Sequence, residues 1–190
     1  MAKWMQYPRN ILKKIQKLGM SPEQSEIKYL LSHGLRLGKN VRIHAENAFD
    51  SVFPWLIVVG NNVCISSDVK ILAHDTSTEY VCGYTKIGQV VIGDNVYIGY
   101  GAIILCNTRI GNNTIIGAGS VVSGNIPPDS VYAGDPAHFI CSLEDFKRRH
   151  QEQLENAPRF EGPCQKWREA PPDQKQAMYE KLNGRLGYMK

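Results

Sequence analysis

From Val59 onward the aliphatic residues of this chain recur at every sixth position: Val59, Ile65 and Ile71, then Ile92, Ile98, Ile104, Ile110, Ile116 and Val122. Four places after each aliphatic of the second run stand Val96, Ala102, Thr108, Thr114, Ser120 and Ile126, mostly small or β-branched. One place after come Gly93, Gly99, Gly111 and Gly117. An amphipathic helix needs spacings of three and four, and a hairpin needs alternation around a tight turn, so period six excludes both as the organising rule. The pattern reads as strand, corner, strand, corner, with three hexads making one triangular coil. Such coils, stacked about 4.8 Å apart like neighbours in a parallel sheet, gather the aliphatics into one internal column while glycine relieves the corners. The predicted class is therefore mainly β, a hexapeptide-repeat solenoid.

The period extends loosely back through Leu37, Val41 and Ile43 and runs forward to about Pro127. It breaks once. From Ile71 to Ile92 the column advances by 21 residues, which is not a multiple of six. Ser77 to Val91 must then leave the prism as an extruded loop, and loops thrown out of a rigid scaffold commonly carry function. Before the repeat, Ser21-Pro22-Glu23-Gln24 reads as a helix start with Ser21 as its cap, and Gly34 as its stop. After it, Ser142 opens a polar helix to about Asn156, and a short helix is expected near Asp173 to Leu182. The expected organisation is an N-terminal helical cap over 1–36, the β domain over 37–140 with its loop at 77–91, and a C-terminal helical extension over 141–190. Helical flanks of this kind cover the strand edges at the open ends of a solenoid.

Charge changes the picture only once it is located. The chain carries a formal +4, but residues 1–20 hold Lys3, Arg9, Lys13, Lys14 and Lys17 without an acid, so the remainder is close to neutral and is not a nucleic-acid binder by charge. Among those cations lie Trp4, Met5, Tyr7, Ile11, Leu12, Ile15 and Leu18. Two readings of residues 1–20 stand open: peripheral contact with an anionic membrane surface, or a helix packed on the prism. No apolar run approaches bilayer-spanning length and no signal-peptide pattern opens the chain, so the expected location is the cytoplasm, with the inner face of the membrane as the variant that residues 1–20 suggest. The five cysteines are odd in number, widely spaced and never CxxC, which fits packing thiols better than disulfides or a zinc site.

The hexads, the triplet Ala73-His74-Asp75 and the terminal segment VYAGDPAHFI (131–140) together resemble the hexapeptide-repeat acyltransferases over roughly residues 21–141. The segments DSVFPWLIVVGNN (50–62), VKILAHD (69–75) and GYTKIGQVVIGDNVYIGYGAIIL (83–105) are similar to the branch of O-acetyltransferases acting on capsular polysaccharide and lipopolysaccharide sugars. The resemblance implies a left-handed parallel β-helix, a homotrimer, acetyl-CoA as donor, and a channel for it between neighbouring prisms. It implies His74 as general base. The residues agree, since His74 follows Ile71 by three places, off the inward positions, and an imidazole titrates where it can take a proton from a sugar hydroxyl.

Asp75 is a candidate to orient that ring or to satisfy corner amides, and Asp50 is a second candidate, as orienter or as a contact to the acceptor. Trp55 offers either a sugar-stacking face or packing beneath the loop. The resemblance places acetyl-CoA contacts at Tyr97, Tyr100, Gly101, Ala102, Ala118, Gly119 and Ser123, where small residues let backbone amides approach the thioester arm and a donor can meet developing oxyanion charge. His138 stands where many relatives carry a lysine or arginine for the CoA phosphates, a departure from the family pattern. Lys147, Arg148 and Arg149 are an alternative source of that charge or simply a solvated helix face. His33, His44 and His150 have no partner spacing that suggests a metal, and no metal is expected.

The leading functional expectation is direct acetyl transfer from acetyl-CoA to a sugar hydroxyl of a surface polysaccharide or its precursor. N-acetylation of an amino sugar, acetylation of an antibiotic, and a noncatalytic scaffold are the alternatives. No side chain looks like an activated nucleophile; Cys82 lies in the loop without an activating partner.

Overall fold

The chain visits three parallel sheets in strict rotation. The computed structural model describes residues 22–190; the cap expected at Ser21 and both readings of residues 1–20, membrane contact and a packed helix, lie outside the described residues. The first sheet stacks strands 36–37, 57–59, 90–92, 108–110 and 125–126, the second 42–43, 64–65, 97–98, 115–116 and 130–133, and the third 48–49, 70–71, 103–104 and 121–122. Pairing between successive coils is parallel throughout these rows. Within these three sheets, among the described residues, the strand 138–142 alone is antiparallel, folding back on 130–133 to close the second sheet.

The hexads account for this arrangement residue by residue. Val59, Ile92, Ile110 and Ile126 are register partners in the first sheet, Ile65, Ile98 and Ile116 in the second, and Ile71, Ile104 and Val122 in the third. All nine aliphatics of the six-residue pattern are at most 3% exposed. The intervening Val96, Ala102, Thr108, Thr114 and Ser120 are equally buried. Buried hydroxyls there find carbonyl partners, Ser120 Oγ donating to Gly117 O at 2.8 Å and Thr114 Oγ1 to Pro127 O at 3.2 Å. The looser prediction for Leu37, Val41 and Ile43 also holds, since they pack partly buried against the same core.

The glycines relieve the corners through close approach rather than through a left-handed turn. Gly93, Gly99, Gly111 and Gly117 do not make the turns; they let one coil lie against the next, and a Cβ on Gly99 would stand 2.5 Å from the Ala118 amide nitrogen. The turns between the first and second sheets are made by asparagine in the left-handed region, with Asn62, Asn95 and Asn113 at φ 54°, 56° and 55°. Asparagine tolerates that conformation, and its amide adds a second service. Asn62 Nδ2 donates to Asn95 Oδ1 at 3.1 Å, Asn95 Nδ2 to Asn113 Oδ1 at 3.0 Å, and Asn113 Nδ2 to Asp129 Oδ1 at 2.9 Å, forming a ladder up one corner.

Helix α1 (Pro22–Ser32) precedes the coils and buries Leu30 in the shared core. Gly34, at φ 98°, ends it as expected. The described chain divides into two compact units, one through Leu143 and one from Glu144 to Lys190. Within the second, helix α3 (Leu143–Asn156), α4 (Cys164–Arg168) and α5 (Pro172–Lys181) accompany a two-stranded parallel pairing of 159–160 with 188–189; a further helix, α2 (Glu79–Cys82), sits in the extruded loop of the first. Tyr188 OH donates to Gln153 Oε1 at 3.1 Å and accepts from His150 Nδ1 at 3.0 Å, tying the chain's end to α3. Among the described residues no disulfide joins any of the five cysteines, no cluster could hold a metal, and no helix is long and apolar enough to cross a membrane.

Candidate active site

The repeat is lengthened twice, at the same corner of two adjacent coils, and shortened there once, the step from Val122 to Ile126 taking four residues. A regular passage from the third sheet to the first takes six residues, as from Ile104 to Ile110. From Phe49 to Val59 it takes ten, and from Ile71 to Ile92 it takes 21. Phe49 and Ile71 are register partners, so the two insertions are stacked directly on one another.

The shorter insertion begins with Asp50, which is 4% exposed. Its Oδ1 accepts the amides of Val52 at 2.9 Å and Phe53 at 3.0 Å, bending the chain into the 3-10 turn Pro54–Leu56. Its Oδ2 accepts the Ala73 amide of the next coil at 2.8 Å and is paired with His74 Nδ1. Burial pushes the Asp50 carboxyl up, but the hydrogen bonds from His74 and from the Phe53, Ala73 and Val52 amides outweigh it and hold the group below its ordinary value. An ionised carboxylate can only accept, so Nδ1 carries the proton and donates, and in the neutral ring that tautomer has its lone pair on Nε2. The His74 side chain is 28% exposed, so this nitrogen can meet a ligand. Phe53 stands edge-on to the imidazole with centroids 5.4 Å apart, and Trp55 stands edge-on to Phe53 at 5.5 Å.

The longer insertion is a short antiparallel ribbon. His74 and Asp75 pair with Ile87 and Lys86. Asp75 is turned away from the imidazole: Oδ1 accepts the Ser77 amide at 3.0 Å, and Oδ2 pairs with Lys86 Nζ at 2.9 Å. The Lys86 contact, with Ser77 behind it, holds the Asp75 carboxyl well below the usual carboxylate range and raises Lys86 in return. Of the two candidate orienters, then, Asp50 touches the ring and Asp75 fastens the base of the loop. Thr78 Oγ1 donates to Tyr84 O at 2.6 Å and accepts from Lys86 N at 2.9 Å, and Gly83 at φ 75° closes α2. Tyr80, Val81 and Tyr84 project outward, the first 95% exposed. The loop rejoins the prism earlier than the expected Val91, because Val90 is fully buried and the β-branched run Val90–Ile92 pairs with both neighbouring strands.

The residues expected to meet acetyl-CoA are not gathered around His74 within one chain. Tyr97 lies on the outer face of the second sheet, its hydroxyl 3.1 Å from Ser66 Oγ. Tyr100, Gly101, Ala118 and Gly119 stack at the corner between the second and third sheets, with the Gly119 amide donating to Tyr100 O at 2.8 Å. Gly101 and Gly119 sit at φ 69° and 67° and face open space. Ala102 is wholly buried and serves the core with its methyl group. Ser123 follows the register row Phe49, Ile71, Ile104, Val122, so it shares the column of Asp50. His138 is exposed on the antiparallel strand, its Nδ1 3.4 Å from Pro136 O. The third sheet stands between the glycine corner and the His74 corner.

Three residues at the site escaped sequence reasoning: Phe53, Lys86 and Ile87. One signal pointed to the first, since the ten-residue step after Phe49 marks a second break of period that falls on it.

Comparison with known proteins bears on the same segments. The family model described as "Bacterial transferase hexapeptide (six repeats)" matches residues 81–124. YvoF of Bacillus subtilis (strain 168), which carries a provisional acetyltransferase name, is 32% identical over 121 residues, covering 64% of this chain and 68% of YvoF. The galactoside O-acetyltransferase of Escherichia coli (strain K12) is 32% identical over 123 residues, or 61% of this chain and 58% of that protein. The crystal structure of a maltose O-acetyltransferase from Clostridium difficile 630 aligns with TM-score 0.53 at 27% identity, over 70% of this chain and 85% of that one. With its six-residue period, its three parallel sheets and a relative two thirds of whose length it spans, the chain belongs to the family of hexapeptide-repeat acyltransferases.

Proposed function

We propose that the chain is an acetyl-CoA-dependent O-acetyltransferase that modifies a sugar hydroxyl of a surface polysaccharide or its precursor, on a left-handed β-helix. The observation that carries the reading is the Asp50–His74 pair at the doubly extended corner, with Nδ1 tied to a buried carboxylate and the His74 side chain partly exposed. In this mechanism Nε2 takes the hydroxyl proton as the acceptor oxygen attacks the thioester carbonyl. The carbon–sulfur bond breaks, and the imidazolium returns the proton to the departing thiolate. Asp50 keeps the ring in the tautomer the step needs and steadies the cation that forms. No acyl-enzyme is required.

A homotrimer belongs to the same proposal. Its support is that Tyr100, Gly101 and Gly119 lie across the third sheet from His74, so a donor channel between two prisms would let one copy's glycine corner serve another copy's base. The galactoside and maltose O-acetyltransferase names of two relatives favour a sugar acceptor.

Thermal unfolding with acetyl-CoA tests the donor half of this reading without knowledge of the acceptor. Native-state binding stabilises the fold by about 2.7 kcal/mol at a hundredfold excess over the dissociation constant. Wild type and His74→Ala are both expected to shift upward. Absence of a shift in both at millimolar acetyl-CoA would remove the donor and leave a scaffold as the better account.

A further inference from the structure

Two apolar residues neighbour the base. Phe53 meets the His74 ring edge-on. Ile87 is the direct antiparallel register partner of His74, and cross-strand partners place their side chains on one face of the ribbon, about 5 Å apart at Cβ. Ile87 is 55% exposed and Trp55, beyond Phe53, is 52% exposed, so this slot opens to solvent through apolar walls.

Its charges are all committed. The three segments that build the corner, 50–56, 73–76 and 86–88, contain three charged side chains besides the imidazole: Asp50, Asp75 and Lys86. Asp50 accepts from three amides and from His74 with its two oxygens. Asp75 holds the Ser77 amide with one oxygen and Lys86 with the other. None of these charges stands ready for the ammonium of an amino acid or amino sugar, or for a carboxylate. A charged acceptor laid against Phe53 and Ile87 would give up part of its hydration to apolar surface and gain no uncommitted charge from these segments, which disfavours it. An uncharged acceptor that brings one hydroxyl to Nε2 and lays an apolar face on the walls loses little.

We infer that this slot selects uncharged hydroxyl acceptors, with Ile87 as a specificity-determining residue. The inference rests on the acetyl-transfer reading above and narrows its acceptor to neutral sugars, against amino acids and free amino sugars.

The test follows thiol release from acetyl-CoA with three acceptors: a panel of neutral methyl pyranosides, glucosamine, and L-serine. Wild type should favour the best neutral pyranoside over both charged acceptors by about tenfold or more in kcat/KM. Ile87→Asp, at an exposed position, should raise KM for the pyranoside, leave KM for acetyl-CoA unchanged, and shift the preference toward the amines. Ile87→Ala should broaden acceptance without that shift, which separates the charge effect from lost packing. Preference of wild type for L-serine or glucosamine, or an unchanged preference in Ile87→Asp, would overturn the inference and leave acetyl transfer standing. Silence with every acceptor would overturn both.

Discussion

Two corners of the same prism make opposite use of polar residues. Between the first and second sheets the period is kept, and Asn62, Asn95 and Asn113 turn the chain and bond to one another in a ladder that leaves no side chain poised for chemistry. Between the third and first sheets the period is broken in two neighbouring coils, and the extra residues carry a buried carboxylate, an imidazole and an aromatic pair. The regular corner repeats one economical solution to the backbone's demand for hydrogen bonds. The irregular one satisfies the same demand through Asp50, whose amide contacts span both coils, and thereby fixes the position of His74. The proposed chemistry sits where the repeat is lengthened because the extra residues there are not already assigned to stacking.

Substitutions can sharpen this contrast. The largest stability loss is expected in the column that both corners share: Ile104→Ala, at a fully buried position, should cost about 4 kcal/mol in chemical denaturation while leaving turnover per folded molecule near wild type. Asp50→Ala should cost about 3 kcal/mol, because buried amides lose their acceptor, and should also depress transfer by freeing the imidazole to rotate. Asn95→Ala should cost about 2 kcal/mol, from two exposed ladder bonds and a left-handed φ that alanine dislikes, with kinetics untouched. Asp75→Asn, in an exposed pair, should leave the melting temperature in place and show itself only as a higher acceptor KM, through a looser loop base.

Acid should separate the two corners as well. The Asp50 carboxyl is held below its ordinary value of 3.8, so in the acid range the unfolded chain binds the proton more readily than the folded one. Its contribution is complete above that value and is lost as pH falls through the folded value. Melting curves taken downward from pH 7 should therefore show wild type converging on Asp50→Asn below about pH 4. The gap between wild type and Asn95→Ala should stay constant over the same range, since no proton is involved.

The β coils were legible because a period of six is a global signal: each of Val59 to Val122 repeats the same physical requirement, and nine burial expectations follow from one rule. The loop at Ser77 was legible as a break in that rule. What could not be read was partnership across the break. Asp50 and Asp75 are both plausible neighbours of His74 by sequence, and the choice depends on Phe49 lying in register with Ile71, a fact that emerges only when the ten-residue step is counted against the coil below. The turn chemistry could not be read for a related reason. Glycine fits a left-handed turn and a close contact equally well, and only the stacked backbones show that Gly99 meets the second need while Asn95 meets the first.

The most direct test of the central claim is the turnover of His74→Ala relative to wild type, measured as thiol release at saturating acetyl-CoA with the best neutral acceptor. Removal of a general base should lower kcat by about 10²- to 10⁴-fold, with the acetyl-CoA thermal shift retained. Turnover within a factor of about three of wild type, well short of a general base's contribution, would contradict the account and return His74 to the status of a well-bonded surface residue.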